Sequence, residues 1–290
     1  ALIYVFVRRQ RRLVRLGRSS LVHVEMFSIT QLRSGLSVLG AQYAVTAGLF
    51  FMVPVYLQMT LGLDALQTGI KIFPLSVSLI LFSVAGTVLS RFWSPRRIVR
   101  VGQLVLVLSA GILLGAVTED LRSVLFGVGM FLAGGALGLL ASQLGNVTMS
   151  SVGEEQTSEV GGLQGVFQNL GSSLGTALIG SILIGALATS FASGVATSGL
   201  SAETRGIVNE RTEGGVAIVP AADVEKIAEQ AGLDEDAATE LATVYRESQL
   251  SSLRVAFFGL IVISLLALLL SRGIPATAPT ARKPKQDAAA

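Results

Sequence analysis

Inside the long uncharged runs of this sequence, the side chains with any chemistry to offer are amides and hydroxyls. They are Gln42, Tyr43 and Thr46 in one run, Gln143 and Asn146 in a second, and Gln164 and Gln168 in a third. Gln42 and Thr46 stand four residues apart, as do Gln164 and Gln168, so on a helix each pair shares a face. A carboxamide donates and accepts hydrogen bonds but does not titrate near neutral pH, so such a set recognises polar groups or joins helices rather than moving protons. Each amide has two readings: the wall of a substrate path, or an interhelical hydrogen bond of about 0.6 kcal/mol in a membrane. There is no cysteine and a single histidine, His23, which excludes disulfides, thiolate metal sites, cysteine nucleophiles and any His-based triad within the chain. The acidic group Asp234, Glu235, Asp236 and Glu240 lacks the glycine and ligand spacing of a calcium loop and reads as a helix start, where carboxylates favour the dipole. With no nucleophile–base pair, phosphate loop or metal cluster, we expect no enzyme, no cofactor and no metal.

The elements that carry these residues belong in lipid. Only 14% of the 290 residues are charged and the mean hydropathy is +0.66, against about 25% charge in soluble domains. The net charge of +3 and basic pI do not point to a nucleic-acid partner, because the arginine excess sits in connectors beside apolar runs, where membrane topology accounts for it. Ala1 to Val7 is too short to span and reads as the end of a truncated helix, so we expect further sequence before it. Residues 1–34 combine this stub with the basic run Arg8, Arg9, Arg11, Arg12, Arg15 and Arg18 and a semi-polar elbow. Five spans follow within 35–191: roughly Gly35 to Gln58, Gln67 to Ser90, Val99 to Thr118, Val124 to Thr148 and Val160 to Phe191, the last long enough to require tilt or protrusion. Residues 192–252 are polar and acidic with two short amphipathic helices, 253–271 form a sixth span, and 272–290 read as a disordered tail.

Charge placement sets the orientation. The N-terminal arginines, then Arg91, Arg96, Arg97 and Arg100, then Arg272, Arg282, Lys283 and Lys285, fall on one side, whereas the opposite short loops carry only Arg122. The basic side is therefore expected to be cytoplasmic and 192–252 outside, in a multi-pass protein of the plasma membrane. No span contains Asp or Glu, so any carboxylate that couples transport to protons is expected elsewhere.

Spans three and six are apolar all round and are expected to be the outer helices. On the fifth, Gly161, Gln164, Gly165, Gln168, Gly171, Ser172 and Gly175 share one broad face; on the fourth, Gly134 and Gly138 belong to a small-residue seam. These glycines are expected to sit at close helix contacts, and the polar path is expected among spans one, four and five.

Several short stretches, in order, resemble the fourteen-span drug:proton antiporter branch of the major facilitator superfamily. They are the elbow Phe27-Ser28-Ile29; Pro54-Val55-Tyr56-Leu57-Gln58 with Leu61-Gly62-Leu63 and Gln67-Thr68-Gly69; Gly69 to Pro74, Gly86 and Ser94-Pro95-Arg96-Arg97, similar to the cytoplasmic loop signature; and Gly161-Gly162-Leu163, Gln168-Asn169-Leu170-Gly171 and Gly175-Thr176-Ala177. The loop departs from the signature at its acidic position, since Leu89-Ser90-Arg91 has no carboxylate. The resemblance implies an all-α transmembrane fold, the six-helix C-terminal bundle of a major facilitator, rocking against an N-terminal bundle of the same protein. It also implies proton-driven export of amphiphilic organic compounds. Two other readings remain: uptake of another small solute, or a membrane anchor with an outer ligand-binding module.

Overall fold

The computed structural model describes residues 8–9, 24–153, 156–212 and 214–274. The stub 1–7, His23, most of the N-terminal arginine run and the tail from 275 onward, all discussed above, lie outside the described residues. Among the described residues there is no strand, and six helices are long and apolar enough to cross a membrane.

A 3-10 turn at Val24–Ser28 leads into α1 (Thr30–Pro54). Pro54 has no N–H to give the preceding turn, and the chain continues as a wider π turn, Val55–Thr60, before Gly62 reverses it at φ +67°. Asp64 then caps α2 (Ala65–Leu89) reciprocally: its carboxylate accepts from the Gln67 amide at 2.7 Å, and the Gln67 side chain accepts from the Asp64 amide at 3.1 Å. Pro95 opens α3 (Pro95–Ala116), where its fixed φ suits a first turn. After α4 (Ser123–Met149) come α5 (Thr157–Thr197), α6 (Ala202–Thr212), α7 (Val224–Gln230) and α8 (Glu235–Leu270), the last capped by Asp234, which accepts from the Ala237 amide at 2.9 Å.

Two of these helices run farther than the sequence suggests. With 41 residues α5 is about 60 Å long, twice the roughly 30 Å of a hydrocarbon core, so it protrudes. The expected border at 252/253 does not exist either: α8 is one helix of 36 residues, because no glycine or proline interrupts the chain between Asp234 and Gly259. The outer segment therefore stands on rigid extensions of two spans.

The core of the bundle is built from Val38, Val45 and Met52 of α1, Leu106 and Leu113 of α3, Met130, Leu137 and Leu144 of α4, and Leu253, Phe257 and Leu260 of α8. The expectation that spans three and six are the outer helices needs correcting. α3 buries a full face, Val99, Leu106 and Leu113 included, while the most exposed helix is α2, with Leu66, Ile70, Phe73, Ile80 and Val84 all more than 60% exposed. Its buried residues are Thr68, Leu75, Ser78 and Gly86. An all-apolar sequence does not say which side packs, and α2 packs with its small residues, leaving its large ones outward.

Beyond the bundle, Leu187, Phe191 and Val195 of α5, Val208 of α6, Val224 and Ala228 of α7, and Ala238, Leu241 and Tyr245 of α8 form a second, separate core. This outer cap is closed by the strand-like strap before α7: the Tyr245 hydroxyl donates to the Ala217 carbonyl and accepts from the Val219 amide, both at 3.0 Å.

Candidate substrate path

The glycines place the helices. A Cβ built on Gly134 or Gly138 would land on the backbone of α2, at the Leu75 and Leu79 carbonyls. One on Gly171 or Gly175 would land on the backbone of α1, at the Gly40 and Ala44 carbonyls. These two seams bring α4 against α2 and α5 against α1 at backbone distance. The expectation of close packing is corrected at Gly161 and Gly165, where an added Cβ meets nothing within 4 Å. They share a helical face with Gly171 and Gly175, but among the described residues the first turns of α5 have no neighbour at those positions.

The amides then divide into two sets. Gln143 is 3% exposed and its Nε2 donates to the Gly86 carbonyl at 3.1 Å and to the Ser142 hydroxyl at 3.2 Å, so it joins α4 to α2. Gln164, half-buried, donates from Nε2 to the Gly145 carbonyl at 3.2 Å and to the Thr148 hydroxyl, joining α5 to α4. The partners of Gln164 belong to α4 itself and lie roughly opposite Gln143 around that helix, whereas Gly86, the partner of Gln143, belongs to α2. Gln143 and Gln164 therefore do not share a wall.

Gln42 is buried in α1 with its side-chain Oε1 without a hydrogen-bond partner, a costly state for a carbonyl removed from water. Thr46 turns back on its own helix and donates to the Gln42 backbone carbonyl at 2.8 Å, leaving that side-chain oxygen unserved. Tyr43 is half-buried beside the bundle core, Gln168 is half-buried one turn after Gln164, and Asn146 is exposed near the end of α4. At the turn between α2 and α3, Arg91 and Arg97 are exposed, and Arg96 is half-buried with its Nε unpaired.

Some polar contacts escape a reading by residue type. Gln31 donates from Nε2 to the Val147 carbonyl at 2.8 Å and to Ser150, tying the start of α1 to the end of α4 beside the Gln164 contact. Tyr56, fully buried on the π turn, donates to the Thr118 carbonyl at 2.9 Å and pins the end of α3. Lys71 of α2 donates to the Ser123 hydroxyl at 3.1 Å, tying α2 to the start of α4. The signal for Tyr56 was Pro54 two residues before it: a break in the α ladder rotates the following side chains inward. For Gln31 nothing in the local pattern marks the contact, since its partner is 116 residues away.

These groups can recognise a ligand's polar atoms or hold helices together. Among the described residues no group of three His, Cys, Asp or Glu is placed to hold a metal ion.

A family model described as Major Facilitator Superfamily matches residues 1–176, which covers α1 to α4 and the first half of α5. The chain belongs to the major facilitator superfamily. It is similar to the "Probable actinorhodin transporter" of Streptomyces coelicolor, 25% identical over 192 residues, which are 64% of this chain and 33% of that protein. It is also similar to the "Tetracenomycin C resistance and export protein" of Streptomyces glaucescens, 33% identical over 168 residues, 56% of this chain and 30% of that protein. The chain thus spans about a third of the length of these curated relatives. The outer cap and α8 lie outside the residues that match the major facilitator model.

Proposed function

We propose that this chain is one six-helix bundle of a bacterial efflux transporter that exports amphiphilic organic compounds by alternating access, driven by proton entry. The observation that carries the reading is the major facilitator match over α1 to α5, together with two relatives named for transport and export. Consistent with a two-bundle machine, α2 and α5 each present an apolar stripe that no other described residue covers: Ile70, Phe73, Val77 and Ile80 on one, Val166, Leu170, Leu174 and Leu178 on the other. In the proposal a second bundle of the same protein meets part of that surface, and lipid the rest.

On this reading Gln42, Gln164 and Gln168 face the substrate path, with Tyr43, Thr46, Gln143 and Asn146 nearby, while the coupling carboxylate belongs to the other bundle. The unserved Gln42 carbonyl supports the first part, because a buried acceptor without a partner gains most from a ligand that donates to it. The Arg91, Arg96 and Arg97 turn lies on the cytoplasmic side of the plasma membrane and the cap outside it.

The test is export of a cationic dye such as ethidium from cells expressing the full-length protein at matched levels. Gln42→Leu is expected to change the export rate or the substrate profile, and collapse of the proton gradient to stop export in all variants. Unchanged export by Gln42→Leu, Gln164→Leu and Gln168→Leu alike sinks the assignment of the path. Export that persists without a proton gradient sinks the coupling.

A further inference from the structure

The outer cap holds a cavity of about 260 Å³ that the transport reading leaves without a role. Its walls are Ile207 and Val208 of α6, Ile227 and Ala228 of α7 and Leu241 of α8, with the Phe191 and Tyr245 rings at its base. The two rings meet edge to face, with centroids 5.8 Å apart, and fix the floor. The phenol in the lining is committed, since the Tyr245 hydroxyl already bonds the Ala217 carbonyl and the Val219 amide. Ile207 and Ile227 are 36% and 49% exposed at the mouth. In a cap that stands beyond the spans, this leaves large apolar side chains in water around an apolar hole. Arg211, exposed on the last turn of α6, also borders the opening.

We infer that this cavity is a binding site for a compact apolar ring compound, neutral or carrying one acidic group. Size sets the first part: an apolar cavity of about 150 Å³ admits benzene, so this one suits two fused rings. The lining sets the second, because walls made mostly of aliphatic and aromatic side chains penalise polar ring substituents. Charge sets the third, since the guanidinium at the rim favours an acid pointing outward over an amine. The site is separate from the amides of the bundle: Phe191, Val208, Val224, Ala228, Leu241 and Tyr245 of its lining belong to the second core, and α6, α7 and α8 lie outside the family match.

The experiment is a titration of the chain in lipid nanodiscs with 2-naphthoate, read by the ¹³C methyl resonances of isoleucine. Saturable shifts are expected at Ile207 and Ile227 and not at Ile80 and Ile184, which lie on the outer surfaces of α2 and α5. Ala228→Phe, which fills the cavity, is expected to weaken binding by about tenfold or more. Ile227→Ser, at a half-exposed position, keeps the test alive if Ala228→Phe does not fold, and is expected to weaken binding as read at Ile207. Arg211→Gln is expected to cost naphthoate about threefold and naphthalene nothing. Shifts that track Ile80 and Ile184 mean partition into the bilayer and overturn the site, as does binding by a folded Ala228→Phe equal to the parent. Lipid acyl chains already seated in the cavity, seen as broadening of Ile207 and Ile227 by spin-labelled lipid before any ligand is added, overturn it too.

Discussion

In the bundle, α2 meets α4 and α1 meets α5 through glycines that bring backbone onto backbone, and side-chain amides cross between helices at Gln143 and Gln164. In the cap, α5, α6, α7 and α8 are held apart by Phe191, Val208, Val224, Leu241 and Tyr245, and no glycine makes a backbone contact of that kind. The two regions share α5 and α8, and α5 changes its manner of contact along its length, from glycines against α1 to Phe191 in the cap. Lipid does not drive apolar surfaces together, so helices in it gain from close approach and hydrogen bonds. Water does drive them together, and there large side chains make the core.

The sharpest way to break this contrast is to put bulk at a seam. In Gly134→Leu the new side chain lands on the Leu75 carbonyl, which cannot move without moving α2. The cost is expected to exceed the roughly 3 kcal/mol of ordinary overpacking, enough to lose the folded bundle. Gly165→Leu, made at a glycine of similar sequence context with open space around it, is expected to leave thermal stability in detergent unchanged. Size-exclusion profiles and melting curves of the pair decide the matter: equal behaviour means that the seam is not what holds α2.

That pair also measures how far the sequence could be read. Six spans were legible because a window of about 20 apolar residues has few other meanings. The caps at Asp64 and Asp234 and the break at Pro54 are local signals of the same quality. Which glycines touch a neighbour was not legible: Gly161, Gly165, Gly171 and Gly175 lie on one face of α5, and only the last two meet α1, because contact depends on where two helix axes cross. The exposed character of α2 was hidden for the same reason. In the candidate path the residue types were legible but their grouping was not, since Gln143 reaches from α4 to α2 whereas Gln164 reaches from α5 to the other side of α4. The continuity of α8 has a local signal, the absence of Gly and Pro between Asp234 and Gly259.

A milder test belongs to the cap. Burial raises the pKa of Tyr245 above the ordinary tyrosine value, with the hydrogen bond to Val219 opposing it more weakly. The fold therefore favours the neutral phenol, whose contribution is fully present below about pH 10 and is lost as pH rises through the raised value. Tyr245→Phe removes the two strap bonds and is expected to cost the cap about 1 kcal/mol. Hydrogen exchange at the Val219 amide should report it as lower protection. The parent should also lose cap structure in strongly alkaline buffer through a step that the Phe variant lacks. A shared alkaline step in both proteins would assign the titration to another group.

The smallest effect separates the two readings of an amide. Gln164→Leu removes the bonds to Gly145 and Thr148 but keeps the volume, and the expected loss is about 0.6 kcal/mol, small enough that the bundle stays folded. Thr148 keeps a partner in the Leu144 carbonyl at 2.9 Å, so no hydroxyl is orphaned. Stability therefore cannot decide what Gln164 is for, but export by the full-length protein can. A helix tie predicts a normal export profile with a slightly lower melting temperature. A path residue predicts a profile altered most for compounds with hydrogen-bonding groups. Because Gln164 is half-buried where Gln143 is fully buried, we expect the altered profile for Gln164→Leu and the normal one for Gln143→Leu. The reverse outcome would move the path from the α5 side of α4 to the α2 side.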